Sequence, residues 1–226
     1  MIESEDEAKA WLSGVLGVGP NAMLRLARLA ELLVEASGQQ NLVARSTLPQ
    51  IWRRHIVDSA QLLRVSRETV PQGAWLDLGT GAGFPGLVIA AIDLERRVTL
   101  VDSRRLRTAW LSHACNELGL THAEVLTARV EDMPSAKWSV ISARAFAPLE
   151  QLLALSSRFS TPDTLWLLPK GAKATNELKI LSPHWEHMFH VEQSLTDPAA
   201  GIIAGRLKDS PKAHSISRRS QRGNQR

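Results

Sequence analysis

Between Ala22 and Val34 the polar side chains Arg25, Arg28 and Glu31 recur every third residue, Glu35 follows four further on, and everything between them is apolar. That spacing predicts a helix with one narrow polar stripe facing water and a broad buried face. Gly19-Pro20 supplies its start and Gly38 its stop. A second helix is expected from Thr47 or Pro49 to Arg64, turning Ile51, Trp52, Ile56, Leu62 and Leu63 inward. Residues 1–70 therefore read as a helical amino-terminal cap, ended by the break at Pro71-Gln-Gly73.

From Ala74 onward the pattern changes. Short apolar strands are expected at Ala74–Leu78, Val98–Val101, Ala123–Leu126, Trp138–Ser142 and Thr164–Leu168. Helices fit between and after them, near Gly86–Ile92, Arg104–Leu118, Pro148–Ser157 and Ala172–Ile180. Such alternation predicts a doubly wound α/β fold with a parallel sheet and right-handed crossovers over residues 71–207. His187–Leu195 and Gly201–Leu207, with Asp197-Pro198 as the break, add a closing antiparallel pair and bring the sheet to seven mostly parallel strands.

Composition narrows the class. With 44% hydrophobic and 22% charged residues the chain suits a soluble globular protein. No apolar run approaches the roughly 20 residues of a membrane span. The acidic start MIESEDEAKA lacks a secretory pattern, and a single cysteine, Cys115, permits no internal disulfide. A cytoplasmic location follows as the expectation. Cys115 falls inside an expected helix, where a packed thiol is the default. The net charge of +4 is misleading about the body, because six basic residues and one acid give residues 208–226 a charge of +5. Residues 1–207 thus carry −1, and the basic, apolar-poor tail is expected to be disordered.

The chemistry lies in Trp75-Leu-Asp-Leu-Gly-Thr-Gly-Ala-Gly-Phe-Pro-Gly86, followed by Val98-Thr-Leu-Val-Asp102. A strand running into a glycine-dense turn, then a helix and a second strand ending in a carboxylate, describes a nucleotide-like cofactor across the carboxyl edge of a sheet. Gly81-Ala-Gly83-Phe-Pro-Gly86 matches the dinucleotide pattern G-x-G-x-x-G, so an NAD-dependent oxidoreductase stands as the alternative. Asp77 favours S-adenosylmethionine, whose sulfonium and ammonium welcome a nearby carboxylate that pyrophosphate would repel. Asp102 can accept hydrogen bonds from two ribose hydroxyls. No Cys-based dyad and no Ser/His/Asp constellation stands out, and no histidine cluster has metal-ligand spacing. The seven tryptophans are scattered over expected strands and helices, where core packing is their default.

Several segments then add up: Asn41-Leu-Val43, Arg54-His-Ile-Val-Asp-Ser59, Asp77-Leu-Gly-Thr-Gly-Ala-Gly-Phe-Pro-Gly86, Leu100-Val-Asp-Ser103, Ser142-Ala-Arg-Ala-Phe-Ala147 and Leu168-Pro-Lys-Gly171. In this order they closely resemble the RsmG family (glucose-inhibited division protein B) of bacterial 16S ribosomal RNA methyltransferases, over residues 20–207. The resemblance implies a Rossmann-like S-adenosylmethionine-dependent methyltransferase fold and methylation of a guanine at N7 in 16S rRNA of the small subunit. It places Gly79, Gly81, Gly83 and Phe84 around the methionine moiety, Asp102 and Ser103 on the ribose, and Arg129, Val130 and Glu131 beside the adenine. Arg144 matches a position at the mouth shared by cofactor and substrate, and Arg54, His55, Asp58 and Ser59 match a segment that positions RNA or cofactor. Where this family often carries a basic residue the chain has Leu106, flanked by Arg104, Arg105 and Arg107. A methyltransferase acting on another RNA or a small molecule is the neighbouring alternative.

N7 of guanine offers an in-plane lone pair and carries no proton, so its methylation needs alignment rather than a general base. Arg144 and Lys170 each follow an expected strand at the ligand edge, suited to positioning a base and its phosphate. Each has a plainer alternative: Arg144 as partner of Glu131 or Asp132, Lys170 as a surface charge, and His55 with Asp58 as a helix-face pair. No metal and no obligate protein partner is expected, and the protein reads as a monomer.

Overall fold

The computed structural model describes residues 1–70, 72–181, 185 and 187–208. The expected tail beyond Lys208 lies outside the described residues, as does Pro71 of the expected break. Seven strands form one sheet: β1 (Trp75–Leu78), β2 (Val98–Asp102), β3 (Ala123–Thr127), β4 (Val140–Ala143), β5 (Leu165–Lys170), β6 (Phe189–Gln193) and β7 (Gly201–Gly205). Their order is β3-β2-β1-β4-β5-β7-β6. The first five run parallel, and β7 lies antiparallel between β5 and β6. Every residue of β1, β2, β4 and β7 is buried, as befits strands covered on both faces. β4 starts two residues later than its apolar run suggests, because the Trp138 amide donates to the Phe159 carbonyl and not to a neighbouring strand.

Seven helices accompany the sheet among the described residues: α1 (Glu5–Ala10), α2 (Pro20–Ser37), α3 (Asp58–Thr69), α4 (Gly86–Ile92), α5 (Arg105–Glu117), α6 (Leu149–Ser156) and α7 (Ala174–Lys179). The single polar stripe expected on α2 is only partly realised. Leu24 and Val34 face solvent, while the Arg25 Nε donates 2.8 Å to the Ala91 carbonyl at the end of α4. A cation at a helix C-terminus satisfies an otherwise orphaned carbonyl there, so Arg25 faces inward. The second expected helix is not regular either. It comprises a tight 3₁₀ turn at Arg45–Gln50, a wide π-type turn at Trp52–Val57, and then α3. Both carboxylate oxygens of Glu5 accept at this irregular start, from the amides of Trp52 and Arg53 at 2.9 Å each.

Two apolar layers enclose the sheet. On one side Leu26, Leu29 and Leu33 of α2 and Leu62 and Leu63 of α3 join Ile89 of α4 and Leu111 of α5. On the other, Leu76, Ile141, Trp166 and Ile203 of the sheet meet Leu153 of α6 and Phe159. Trp75, Trp110, Trp166 and Trp185 are buried, and Trp11, Trp52 and Trp138 pack part-buried against the same layers. Cys115 is buried too, and burial pushes its thiol up to about 11, which makes it inert at neutral pH.

Candidate functional site

The chain leaves β1 through three left-handed glycines, Gly79 (φ 65°), Gly81 (φ 60°) and Gly83 (φ 105°), before α4 begins. Only glycine adopts this run without strain. A Cβ on Gly79 would sit 2.4 Å from the Phe146 ring, whereas one on Gly81 would meet nothing closer than 3.7 Å. The backbone at Gly81 is thus open to close approach.

Asp77 corrects the sequence argument that set it beside a cationic ligand. It is fully buried beneath the loop. Its Oδ2 accepts the Gly86 amide at 3.0 Å, and its Oδ1 accepts the Ser142 hydroxyl at 2.7 Å. Ser142 Oγ in turn accepts the Trp75 indole N–H at 2.8 Å. A Cβ on Gly86 would stand 2.9 Å from Asp77 Oδ2, so glycine there lets the carboxylate reach the amide. Burial pushes Asp77 up to about 6 against these hydrogen bonds. Its role is to tie the loop to β4.

Above the carboxyl edge lies a cavity of about 510 Å³ lined by Gly79, Asp102, Ser103, Arg129, Val130 and Glu131, among others. Gly81, Gly83 and Phe84 are not among the residues that line it. Asp102 ends β2 and is buried. Its Oδ1 accepts from the Arg104 amide at 2.9 Å and the Arg104 Nε at 3.1 Å. Its Oδ2 accepts from the Gly81 amide at 3.0 Å and the Arg104 Nη2 at 3.1 Å. Burial works against the charge of Asp102, but the Arg104 hydrogen bonds outweigh it and hold the carboxyl below its ordinary range. Arg129 pairs with Glu131 at 3.3 Å, so the pairing of Glu131 with Arg144 is not realised.

Ala145 and Phe146 line this cavity and also a second one of about 870 Å³. Ala145 has φ 53°, a strained conformation for a residue with a Cβ. Arg144, expected at a shared mouth, faces the second cavity. Its Nη1 lies 3.5 Å from Asp58 Oδ2, and its guanidinium stands 5.2 Å from the Phe84 ring centre. Burial draws its pKa down, opposed by Asp58 and then Asp77. Lys170 is nearly buried, not a surface charge: it pairs with Glu177 at 2.8 Å and donates to the Ala147 carbonyl at 3.1 Å. Glu177 also accepts the Leu149 amide at 3.2 Å, so Lys170 and Glu177 together brace residues 147–149.

Residues 54–61 supply the other wall. Arg54 pairs with Asp197 at 2.9 Å across to the turn between β6 and β7. Asp58 also accepts from Thr196 Oγ1 at 3.0 Å and Gln61 Nε2 at 3.1 Å. The expected His55–Asp58 pair is absent, since His55 turns the other way. Its ring stacks on Phe84 at 5.0 Å, and its Nε2 lies 2.8 Å from Thr47 Oγ1. Thr47 spends its hydroxyl hydrogen on the Ala44 carbonyl at 2.7 Å, so the His55 Nε2 carries the proton and donates. Ser59 reaches neither cavity: it is buried and donates 2.6 Å back to the His55 carbonyl, closing a local backbone bond. Thr47, Gln61, Glu177 and Asp197 were not recognisable as site residues, although Asp197-Pro198 had been visible as a turn.

Burial, then the charges of Arg144 and Arg54, push His55 down to about 3. Folded His55 thus stays neutral where the unfolded chain's histidine, near 6.5, takes up a proton. Its stabilising contribution is complete above pH 6.5 and is lost as pH falls toward 3. Accordingly, urea unfolding should show the wild type losing stability relative to His55→Gln between pH 6.5 and 4. A pH-independent difference would mean that His55 is not held neutral in the fold.

Among the described residues no group of three or more His, Cys, Asp or Glu is placed to hold a metal ion. The first cavity fits a nucleoside-bearing group: it has a carboxylate for a ribose diol, buried Val130 as an apolar wall, and Gly79 of the glycine turn on its lining. Its volume lies within the roughly 300–1,000 Å³ of ligand pockets. Sheet order, glycine turn and paired cavities define a Rossmann-like methyltransferase. The solved structure of a putative methyltransferase from Escherichia coli shares the fold, with TM-score 0.51, 14% identity, and coverage of 66% of this chain and 85% of that one. The model of the family described as rRNA small subunit methyltransferase G matches residues 23–199, and the chain belongs to that family. It is 66% identical over 206 residues to "Ribosomal RNA small subunit methyltransferase G" of Novosphingobium aromaticivorans, covering 91% of this chain and 90% of that protein. The protein of the same name from Erythrobacter litoralis is 49% identical, covering 91% and 98% respectively.

Proposed function

We propose that this protein methylates N7 of a guanine in 16S ribosomal RNA of the small subunit, with S-adenosylmethionine as donor. The observation that carries the reading is a pair of cavities sharing the Ala145–Phe146 wall, one ending on Asp102 and the other lined by Arg144 and cap residues. S-adenosylmethionine supplies a methyl group on a sulfonium, open to in-line displacement by a ring nitrogen lone pair. Asp102, with Ser103 beside it, holds the ribose, Arg129 to Glu131 flank the adenine, and Gly79 and Gly81 admit the chain of the donor. Arg144 donates its fork to the guanine O6 or a neighbouring phosphate, leaving N7 free. Lys170 acts at one remove, by holding the Ala147 carbonyl and thereby the shared wall. Asp58 and the Arg54–Asp197 pair fix the cap over the acceptor. Neutral His55 props the Phe84 ring on which Arg144 rests. No group needs to remove a proton, which agrees with a site built of clamps. Alignment and exclusion of water then supply the acceleration.

In this reading residues 1–70 serve as the cap and 71–207 as the methyltransferase domain. The protein acts as a monomer in the cytoplasm, where its RNA substrate resides. No described helix is long and apolar enough to cross a membrane. Incubating the protein with labelled S-adenosylmethionine and small ribosomal subunits, followed by nucleoside analysis, should yield N7-methylguanosine from 16S rRNA. Label in a different nucleoside, or in none, would reject the reading.

A further inference from the structure

Asp102 has four in-plane lone-pair positions on its two oxygens, and protein donors occupy all four. Two belong to backbone amides, of Gly81 and Arg104, and two to the Arg104 side chain, at 3.1 Å each. A ribose diol needs one acceptor on each oxygen. The amides are held by the glycine loop and the start of α5 and cannot leave without unmaking it. The guanidinium can, because the Arg104 side chain is 62% exposed and its contact is an ion pair on the cavity rim. Resting on the donor site proposed above, the geometry points to Arg104 as an exchange residue: ribose displaces its guanidinium from Asp102 and hands it to the RNA backbone. Neighbouring residues favour the RNA backbone as its destination. Exposed Arg105 lies on the same turn, and Arg107 is held nearby by the Asn41 carbonyl, so the freed fork joins a positive rim. A guanidinium fork without a carboxylate is matched by a phosphate.

The exchange links the two ligands. Cofactor occupancy raises RNA affinity, and by reciprocity RNA raises cofactor affinity by the same factor. S-adenosylhomocysteine is the suitable probe, since it keeps the ribose and lacks the sulfonium charge that would itself attract RNA.

Calorimetry with S-adenosylhomocysteine should show Arg104→Ala binding about two- to fivefold tighter than wild type, the competitor for Asp102 being gone. Arg105→Ala should bind it as wild type does. RNA titrations should show S-adenosylhomocysteine tightening wild-type binding to a 16S rRNA fragment by a similar factor. That response should disappear in Arg104→Ala. With the ligand bound, the variant's salt slope should be shallower by about one phosphate contact. Equal or weaker ligand binding by Arg104→Ala overturns the exchange, and an unchanged RNA response overturns the handover. A wild type that binds no S-adenosylhomocysteine would instead refute the donor site itself.

Discussion

Replacing Asp102 by alanine is expected to weaken S-adenosylmethionine binding by about two to four powers of ten, with the sheet still folded. Each ribose hydroxyl bonded to a carboxylate contributes about 1.5–3 kcal/mol, and both are lost together. Release of Arg104 offsets little of this, because an exposed ion pair is worth about 0–1 kcal/mol. The fold should survive, since among the described residues the Asp102 carboxylate bonds to Gly81 and Arg104 alone, the Asp102 backbone bond from Ala128 is kept, and the residue lies at the end of β2. Isothermal titration measures the loss and thermal melting checks the fold. An unchanged Kd would remove Asp102 from the donor site.

Arg144→Ala is expected to slow single-turnover methyl transfer by about 10²–10³-fold, the usual cost of removing one positioned donor. Donor binding should change little, because Arg144 lines the second cavity and not the one ending on Asp102. Asp58 would keep its bonds from Thr196 and Gln61, which limits the stability loss. Arg144→Lys should recover part of the melting temperature and little of the rate, since it restores a charge for Asp58 but not the fork. A rate within threefold of wild type would exclude Arg144 from positioning the acceptor. A parallel loss of S-adenosylmethionine binding would move it to the donor side.

The glycine turn, Asp102 and the strand–helix alternation were legible because each depends on neighbours in the chain. A left-handed run after an apolar strand leaves few residues but glycine, and a strand buried on both faces must be apolar along its length. Helix details were less legible. Arg25 looked like a solvent stripe until α4 offered it a carbonyl, and the segment before α3 became a wide turn anchored by a carboxylate from α1.

Residue types and spacing by themselves determined the doubly wound sheet, the cofactor edge, the family and the short set of candidate side chains. Tertiary structure alone decided which of them meet. Asp77 and Ser59 were drawn into internal hydrogen bonds because a buried polar atom must find a partner. Arg144 took Asp58 of α3 in preference to Glu131 or Asp132, because a charge leaving water settles on the opposite charge packed against it. Arg104, which was visible only as local positive charge, closed on Asp102 because both stand at the same strand end. The Asp77–Ser142 and Arg144–Asp58 pairings join residues 65 and 86 positions apart, and no periodicity along the chain records them.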